Sequence, residues 1–148
     1  MKFEENKIIS CAYKIEIGGK SYRLSAKIAN KDFGEQEAQI ELTPLLFTGR
    51  NCFTSPFDGS RLLDSIAFDK INEELQEETP QLTITNKTLV AMEATLKDFK
   101  TNKRADFSIQ LTDGKYHATL TYEGTSYSKQ YPTSMKLDEI IDNLVAVI

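Results

Sequence analysis

Apolar and polar residues alternate along most of this 148-residue chain, and this two-residue period constrains the fold more than any other feature. In residues 8–17 one set of alternate positions holds Cys11, Tyr13, Ile15 and Ile17. Successive side chains of a strand point to opposite sides, so this pattern predicts a half-buried strand. The same alternation recurs in residues 21–29, 37–43, 106–112 and 115–124, and a further short strand is predicted at 125–131.

Glycine-containing turns and two apolar stripes at helical spacing complete the pattern. Gly18-Gly19 and Asp113-Gly114 predict tight hairpins, because glycine adopts positive φ without steric cost. NKDFGEQ, residues 30–36, predicts another turn. Amphipathic helices are predicted at 61–77 and within the C-terminal MKLDEIIDNLVAVI. Strands and helices together indicate an α+β protein.

One segment of the chain has a twin. FTSPFDGSRLLDSI, residues 53–66, aligns without gaps on YSKQYPTSMKLDEI, residues 127–140, at an offset of 74. The alignment has four identities in fourteen positions, against roughly one expected from average residue frequencies. The twin predicts two similar halves, each an antiparallel β-meander followed by one amphipathic helix packed on the sheet. We therefore expect a single compact domain, 1–148, built as a tandem pseudo-repeat of 1–78 and 79–148.

Two details follow from the twin. Ser60 and Ser134 stand where helix N-caps belong, with Asp64 and Asp138 in the first helical turns. Residues 88–100 should be a strand that matches 8–17, although their apolar positions also fit a helical stripe.

Composition narrows the class of function. The net charge of −4, the pI near 5.1 and the lack of a basic run argue against nucleic-acid binding, which needs clustered Lys and Arg. The sequence shows no secretory h-region and no apolar run as long as the roughly 18 residues of a transmembrane helix. Two cysteines without a CxxC motif are typical of reduced thiols, so we expect a soluble cytoplasmic protein that does not bind membranes.

Chemical motifs are sparse. One histidine and two distant cysteines make a metal site improbable, and no nucleotide or hydrolase signature occurs. An enzyme would have to use Cys52, with His117 as its base, or the scattered acids. Cys11 falls among core positions of its strand and is interpreted as a small buried hydrophobe. The sequence predicts no catalytic residue, no metal and no cofactor.

Two surfaces are candidates for binding. The first is the apolar loop 45–58, whose large side chains form either a satellite core or a docking patch. The second is the polar face of the strands, which is either a plain solvated face or a recognition surface. The predicted binding residues are Leu46, Phe47, Arg50, Asn51, Cys52 and Phe53 in the loop, with Arg23 and His117 on the strands.

These observations predict a non-catalytic binding protein, such as an adaptor, an inhibitor or an accessory protein. Its partner would be another protein, or a second copy of the chain joined through an edge strand. The alternative is a small-molecule-binding protein with a pocket between helix and sheet or between the two halves.

Overall fold

The predicted strands form one antiparallel sheet in a computed structural model of the chain, which describes residues 2–30 and 34–148. The described residues give an α+β fold of eight strands and two helices. The predicted turn at 30–36 lies partly outside the described residues. In chain order the elements are β1 (Glu5–Ile17), β2 (Lys20–Asn30), β3 (Gln36–Thr43), β4 (Cys52–Pro56), α1 (Leu63–Glu78), β5 (Ile84–Asp98), β6 (Lys103–Thr112), β7 (Lys115–Tyr122), β8 (Thr125–Pro132) and α2 (Leu137–Val145).

Neighbouring strands follow the order β4-β3-β2-β1-β5-β6-β7-β8. Both predicted hairpins are present. Gly18 and Gly19 have φ of 59° and 81°, and Asp113 and Gly114 have φ of 53° and 76°. Two consecutive positive φ values are typical of a type I′ turn, whose twist matches that of the strands it joins.

The chain divides into two compact units. The N-unit is Ile9–Val90, and the C-unit is the described residues up to Ile8 together with Ala91–Ile148. In the N-unit, α1 packs on β2, β3 and β4. Its buried apolar stripe is Leu63, Ile66, Ala67, Ile71 and Leu75, and each large side chain of this kind stabilises the fold by about 1.5–3 kcal/mol.

In the C-unit, α2 packs on β7 and β8. The core is supplied by alternate residues of the strands and by one stripe of the helix. The Tyr131 hydroxyl donates a hydrogen bond of 2.8 Å to Asn143 Oδ1 and so ties β8 to α2. The buried residues of β6, β7, β8 and α2 are Ala105, Phe107, Ile109, Tyr116, Ala118, Leu120, Tyr122, Tyr131, Ile140, Ile141 and Leu144.

The ambiguous residues 82–100 contain a strand, β5, and no helix. Met92, Ala94, Leu96 and Asp98 are buried in strict alternation. Residues 91–98 pair with β6, from Ala91 opposite Gln110 to Asp98 opposite Lys103. The local sequence fits a strand period and a helical period equally well, and this long-range pairing makes the segment a strand.

The predicted N-caps are wrong. Leu62 occupies the N-cap position of α1 and Lys136 that of α2, and neither helix has a side-chain cap. The Ser60 amide and hydroxyl both donate to Asp58 Oδ1, at 2.9 and 2.6 Å. Because Ser60 is engaged in this turn with Asp58, its hydroxyl is not directed at the helix. The acids Asp64 and Asp138 do lie in the first turns.

Candidate functional site

The segment predicted as a loop, 45–58, contains β4, which pairs with β3. Only its first part, 45–51, turns back on itself, through a bridge between Phe47 and Arg50. The Leu42 amide donates to the Asn51 carbonyl at 2.8 Å. The Thr48 amide donates to the Glu78 carboxylate of α1 at 3.2 Å. The segment is thus anchored to β3 at one side and to α1 at the other.

The two aromatic residues predicted for binding are buried. Phe47 and Phe53 are 3% and 5% exposed, and their rings meet edge to face with centroids 5.4 Å apart. Leu46 is half-buried. The sequence left two interpretations of this loop, a satellite core or a docking patch. In this structure Phe47 and Phe53 belong to a satellite core. A partner could reach them only if the segment opened.

Arg50 is engaged within the chain. One guanidinium nitrogen lies 2.6 Å from Glu74 Oε2, and the guanidinium carbon lies 4.9 Å from the centre of the Phe53 ring. The Glu74 side chain is buried and also lies 3.5 Å from the Lys70 amine. Arg50, predicted from the sequence to bind a partner, therefore already binds a carboxylate of α1 in its own chain.

The two cysteines are free and differ in their surroundings. Cys52 is exposed at the start of β4, with its thiol 3.4 Å from Asn51 Oδ1 and 3.8 Å from Glu41 Oε2. Cys11 is buried, and burial, with a smaller contribution from the charge of Asp64, raises the pKa of its thiol to about 12. Cys11 is therefore protonated and a poor nucleophile at neutral pH.

Arg23 lies exposed on the side of β2 opposite to its buried residues. In the strand register it stands between Lys14 of β1 and Thr43 of β3. Like charges directly opposite each other on neighbouring strands are mildly destabilising. The pair of Lys14 and Arg23 therefore does not stabilise the fold.

His117 belongs to an ordered set of polar residues on the C-unit. Side chains of β6, β7 and β8 stand in three cross-strand rows, on the side of the sheet opposite to the buried Ala118 and Leu120. We call this set the C-unit polar face. Its rows are Gln110–His117–Gln130, Ser108–Thr119–Ser128 and Asp106–Thr121–Ser126.

Hydrogen bonds order part of this face. The hydroxyls of Thr119 and Ser128 lie 2.9 Å apart, as do those of Thr121 and Ser126. The alternation in residues 106–112 and 115–124 places Ser108, Gln110, His117, Thr119 and Thr121 on the polar face predicted from the sequence. Ser126, Ser128 and Gln130 were missed, although their alternation within β8 is the same signal.

A small groove opens beside α2 in the C-unit. Its volume is about 240 Å³, below the roughly 300–1,000 Å³ of pockets that enclose drug-sized ligands. The lining residues are Lys2, Phe3, Ile141, Asp142, Val145, Ala146 and Ile148. Within residues 2–30 and 34–148, no group of three or more His, Cys, Asp or Glu residues is arranged to hold a metal ion.

Neither helix among the described residues is long and apolar enough to cross a membrane. Comparison with protein-family models, with curated proteins and with solved structures found no match. Function is therefore inferred from the surfaces of the chain itself.

Proposed function

We propose that this chain is a non-catalytic protein that binds another protein through the C-unit polar face. One observation carries the proposal: three strands present nine polar side chains in aligned rows, and a single one of the nine, Asp106, is an acid. Helix α2 packs against the other side of β7 and β8 and leaves these residues accessible. Such a face offers hydrogen-bond donors and acceptors at the regular spacing of a sheet.

The order of the face supports a binding role. Immobilising a flexible side chain at an interface costs about 0.5–1.5 kcal/mol. Ser and Thr have few rotamers, and the pairs Thr119–Ser128 and Thr121–Ser126 are already hydrogen-bonded in the free chain. A partner that forms hydrogen bonds with these side chains in their existing positions therefore causes a smaller loss of side-chain entropy.

The other predicted surfaces support the proposal less well. Phe47, Phe53 and Arg50 are satisfied within the N-unit. An edge-strand homodimer would use β8, but Lys129 on this strand stands opposite buried Ala118 and so directs its charge to the core side. Inward-pointing lysines are a device by which natural sheets resist edge pairing.

We also propose that residues 1–78 and 79–148 form a tandem pseudo-repeat, and that the protein works in the cytoplasm. Helices α1 and α2 begin 74 residues apart, since 137 − 63 = 74, as the alignment of the twin segments requires. Each helix follows an edge strand of the sheet and starts from an extended residue. The free Cys11 and Cys52 are compatible with a reducing compartment.

Small-molecule binding is the second candidate, and the groove beside α2 is the observation that favours it. Its volume suits a fragment of a ligand better than a whole one. A ligand that binds the folded chain at 100 times its Kd would add about 2.7 kcal/mol to stability. A thermal-shift screen with small aromatic and aliphatic acids would detect that gain, and no shift with any of them would exclude this group of ligands.

Site-specific cross-linking tests the proposal. Photo-reactive p-benzoylphenylalanine is placed at Thr119 on the C-unit polar face or, as a control, at Gln76, an exposed residue of α1. We expect one protein to be cross-linked at Thr119 and not at Gln76. Excess unlabelled wild-type chain should suppress that product, whereas an excess of the Thr119→Lys variant should not. Equal products at both positions, or suppression by both competitors, would contradict the proposal.

A further inference from the structure

Strand β8 forms one edge of the sheet, and its outer backbone is open to a further strand. It stands last in the strand order and has eight residues, of which only Tyr131 is buried. A strand at an edge carries a row of backbone N–H and C=O groups that no neighbouring strand binds. Which residues hold these groups depends on the turn that joins β7 to β8.

The hairpin between β7 and β8 determines the alternation of hydrogen bonds along the two strands. Its turn residues, Glu123 and Gly124, have φ of 49° and 80°, as in a two-residue type I′ turn. The pair of residues that flanks such a turn is hydrogen-bonded. Hydrogen-bonded and non-hydrogen-bonded pairs alternate along an antiparallel ladder. The register therefore places Ser126, Ser128 and Gln130 in the non-hydrogen-bonded pairs.

Contacts around β8 agree with this assignment. Side chains lie closest in non-hydrogen-bonded pairs, and the hydroxyls of the two Thr–Ser pairs of the C-unit polar face are 2.9 Å apart. Pro132, at the next position of the same alternation, directs its carbonyl away from β7 and accepts from the Met135 amide at 3.1 Å. The backbone N–H and C=O groups of Ser126, Ser128 and Gln130 therefore point to the open edge.

The opposite edge of the sheet, β4, offers fewer backbone groups. Hydrogen bonds to β3 just before and just after β4 determine its alternation. Within its five residues only Cys52 and Thr54 direct an N–H outward, because Pro56 has none. Strand β8 presents three such residues, and none of them is a proline. An additional strand would therefore pair more extensively with β8 than with β4.

Lys129 determines which kind of strand fits this edge. Its exposed side chain lies on the core side of β8, between those of Tyr127 and Tyr131. It forms no ion pair with any residue of 2–30 and 34–148, although α2, on the same side, carries three acidic residues. A second copy of the chain paired through β8 would bring another Lys129 close by, and like charges on neighbouring strands repel. A strand with a carboxylate at that position would be attracted.

We infer that β8 binds an extended segment of a partner protein as an additional antiparallel strand, with a carboxylate of that segment opposite Lys129. The outward backbone groups of Ser126, Ser128 and Gln130 supply the pairing, and the side chains supply the selection. Lys129 is hydrogen-bonded to β7, so its pair with the new strand is non-hydrogen-bonded, the kind in which side chains lie closest. Apolar residues two positions to either side of the carboxylate would lie beside the two tyrosines.

Strand addition at β8 goes beyond the proposed function, because it uses backbone groups at the edge of the sheet. The proposed function uses side chains of the C-unit polar face. The Thr119→Lys variant leaves the backbone groups of β8 in place, so we expect it to bind an added strand within about twofold of wild type. Either proposal can therefore fail while the other holds.

Binding of a synthetic strand, followed by fluorescence anisotropy, tests the inference. The probe is fluorescein-labelled Thr-Val-Thr-Glu-Thr-Val-Thr, whose central Glu stands opposite Lys129 and whose Val residues stand opposite the tyrosines. The control probe has Lys in place of Glu. We expect the Glu probe to bind about three- to tenfold more tightly, since it replaces a like-charge pair with an ion pair.

Amide hydrogen exchange, measured by NMR, locates the bound strand. The Glu probe should slow exchange at Ser126, Ser128 and Gln130, whose N–H groups are open in the free chain. The amides of Tyr127 and Lys129 are directed at β7 already and serve as the internal control. Their exchange should change much less.

Two substitutions at one position separate the backbone from the side chain. Ser128→Pro removes an outward N–H that β7 does not use, and an edge strand tolerates proline there. It should weaken the Glu probe at least about tenfold. Ser128→Ala removes the hydroxyl and keeps the N–H, so its Kd should stay within about twofold of wild type. Circular dichroism checks that both variants fold.

Charge reversal tests the selection independently of proline. Lys129→Glu should reverse the preference, so that the Lys probe binds more tightly than the Glu probe. Lys20→Glu makes the same change at an exposed position at the start of β2 and should leave the preference as in wild type.

Several results would overturn the inference. They are the absence of saturable binding by the Glu probe, equal Kd values for the two probes, and binding without protection of the three amides. Wild-type affinity in a folded Ser128→Pro variant would also overturn it. A concentration-dependent dimer that Ser128→Pro abolishes would assign the edge to a second copy of the chain instead.

Discussion

The Arg50 guanidinium lies 2.6 Å from the buried Glu74 carboxylate and 4.9 Å from the centre of the Phe53 ring. The contact joins the turn before β4 to the last part of α1. The Arg50 side chain is 55% exposed and that of Glu74 is 8% exposed. One partner is therefore desolvated and the other is not. Removing Arg50 leaves Glu74 with Lys70, 3.5 Å away, as its remaining cation.

We predict that Arg50→Ala lowers the free energy of unfolding by about 1–2 kcal/mol, less than for a fully buried pair because Arg50 is half in solvent. Arg61→Ala is the matched control, since Arg61 pairs with Asp69 where both side chains are exposed. It should change stability by less than about 0.5 kcal/mol. Urea unfolding of both variants measures the difference. Equal losses would mean that the Arg50–Glu74 contact is an ordinary surface pair.

The two thiols should react at very different rates. Burial raises the pKa of Cys11 to about 12, so almost no thiolate is present at pH 8, and the side chain is inaccessible. Cys52 is exposed. A chromogenic disulfide reagent should titrate one thiol in the native chain and the second only in denaturant. Cys52→Ser should abolish the fast reaction and Cys11→Ala should preserve it; two fast thiols would contradict the buried position of Cys11.

Ser60 should act on Asp58 and not on α1. Hydrogen bonds from the Ser60 hydroxyl and amide lower the pKa of the Asp58 carboxyl. A lowered folded-state pKa favours the fold above the unfolded-state value, and this contribution is lost as the pH falls through the folded-state pKa. In Ser60→Ala the Asp58 pKa, measured by NMR titration, should rise toward its ordinary value. Amide exchange in the first turn of α1 should not change. Faster exchange there would mean that Ser60 does cap α1, as the sequence suggested.

The sequence predicts the parts of this fold that depend on local period. The alternation of β2, β3, β6 and β7 needs no knowledge of distant residues, because each of these strands has one buried side. Strand β4 was missed since it is short and follows Pro44 and Gly49, which break the pattern that precedes it. Strand β5 was ambiguous because Met92 and Leu96 fit both periods, and its pairing with β6 is a long-range interaction.

Contacts between distant residues also limit what the sequence can predict about the candidate site. Arg50 and Glu74 are 24 positions apart, since 74 − 50 = 24, and no local signal joins a turn to the far part of a helix. The sequence could assign an outward side to His117 from its strand alone. It could not show that Gln110 and Gln130 flank it, because that depends on the registers of two hairpins.

The C-unit polar face is the surface proposed to bind a partner protein. The most direct measurement is the Kd, by titration calorimetry, of the partner cross-linked at Thr119, with wild type and with two lysine variants. Thr119→Lys should raise the Kd at least about tenfold by placing an unpaired charge in the interface. Gln76→Lys, which adds the same charge to exposed α1, should leave it within about twofold of wild type. A Thr119→Lys variant that folds and binds as tightly as wild type would contradict the claim.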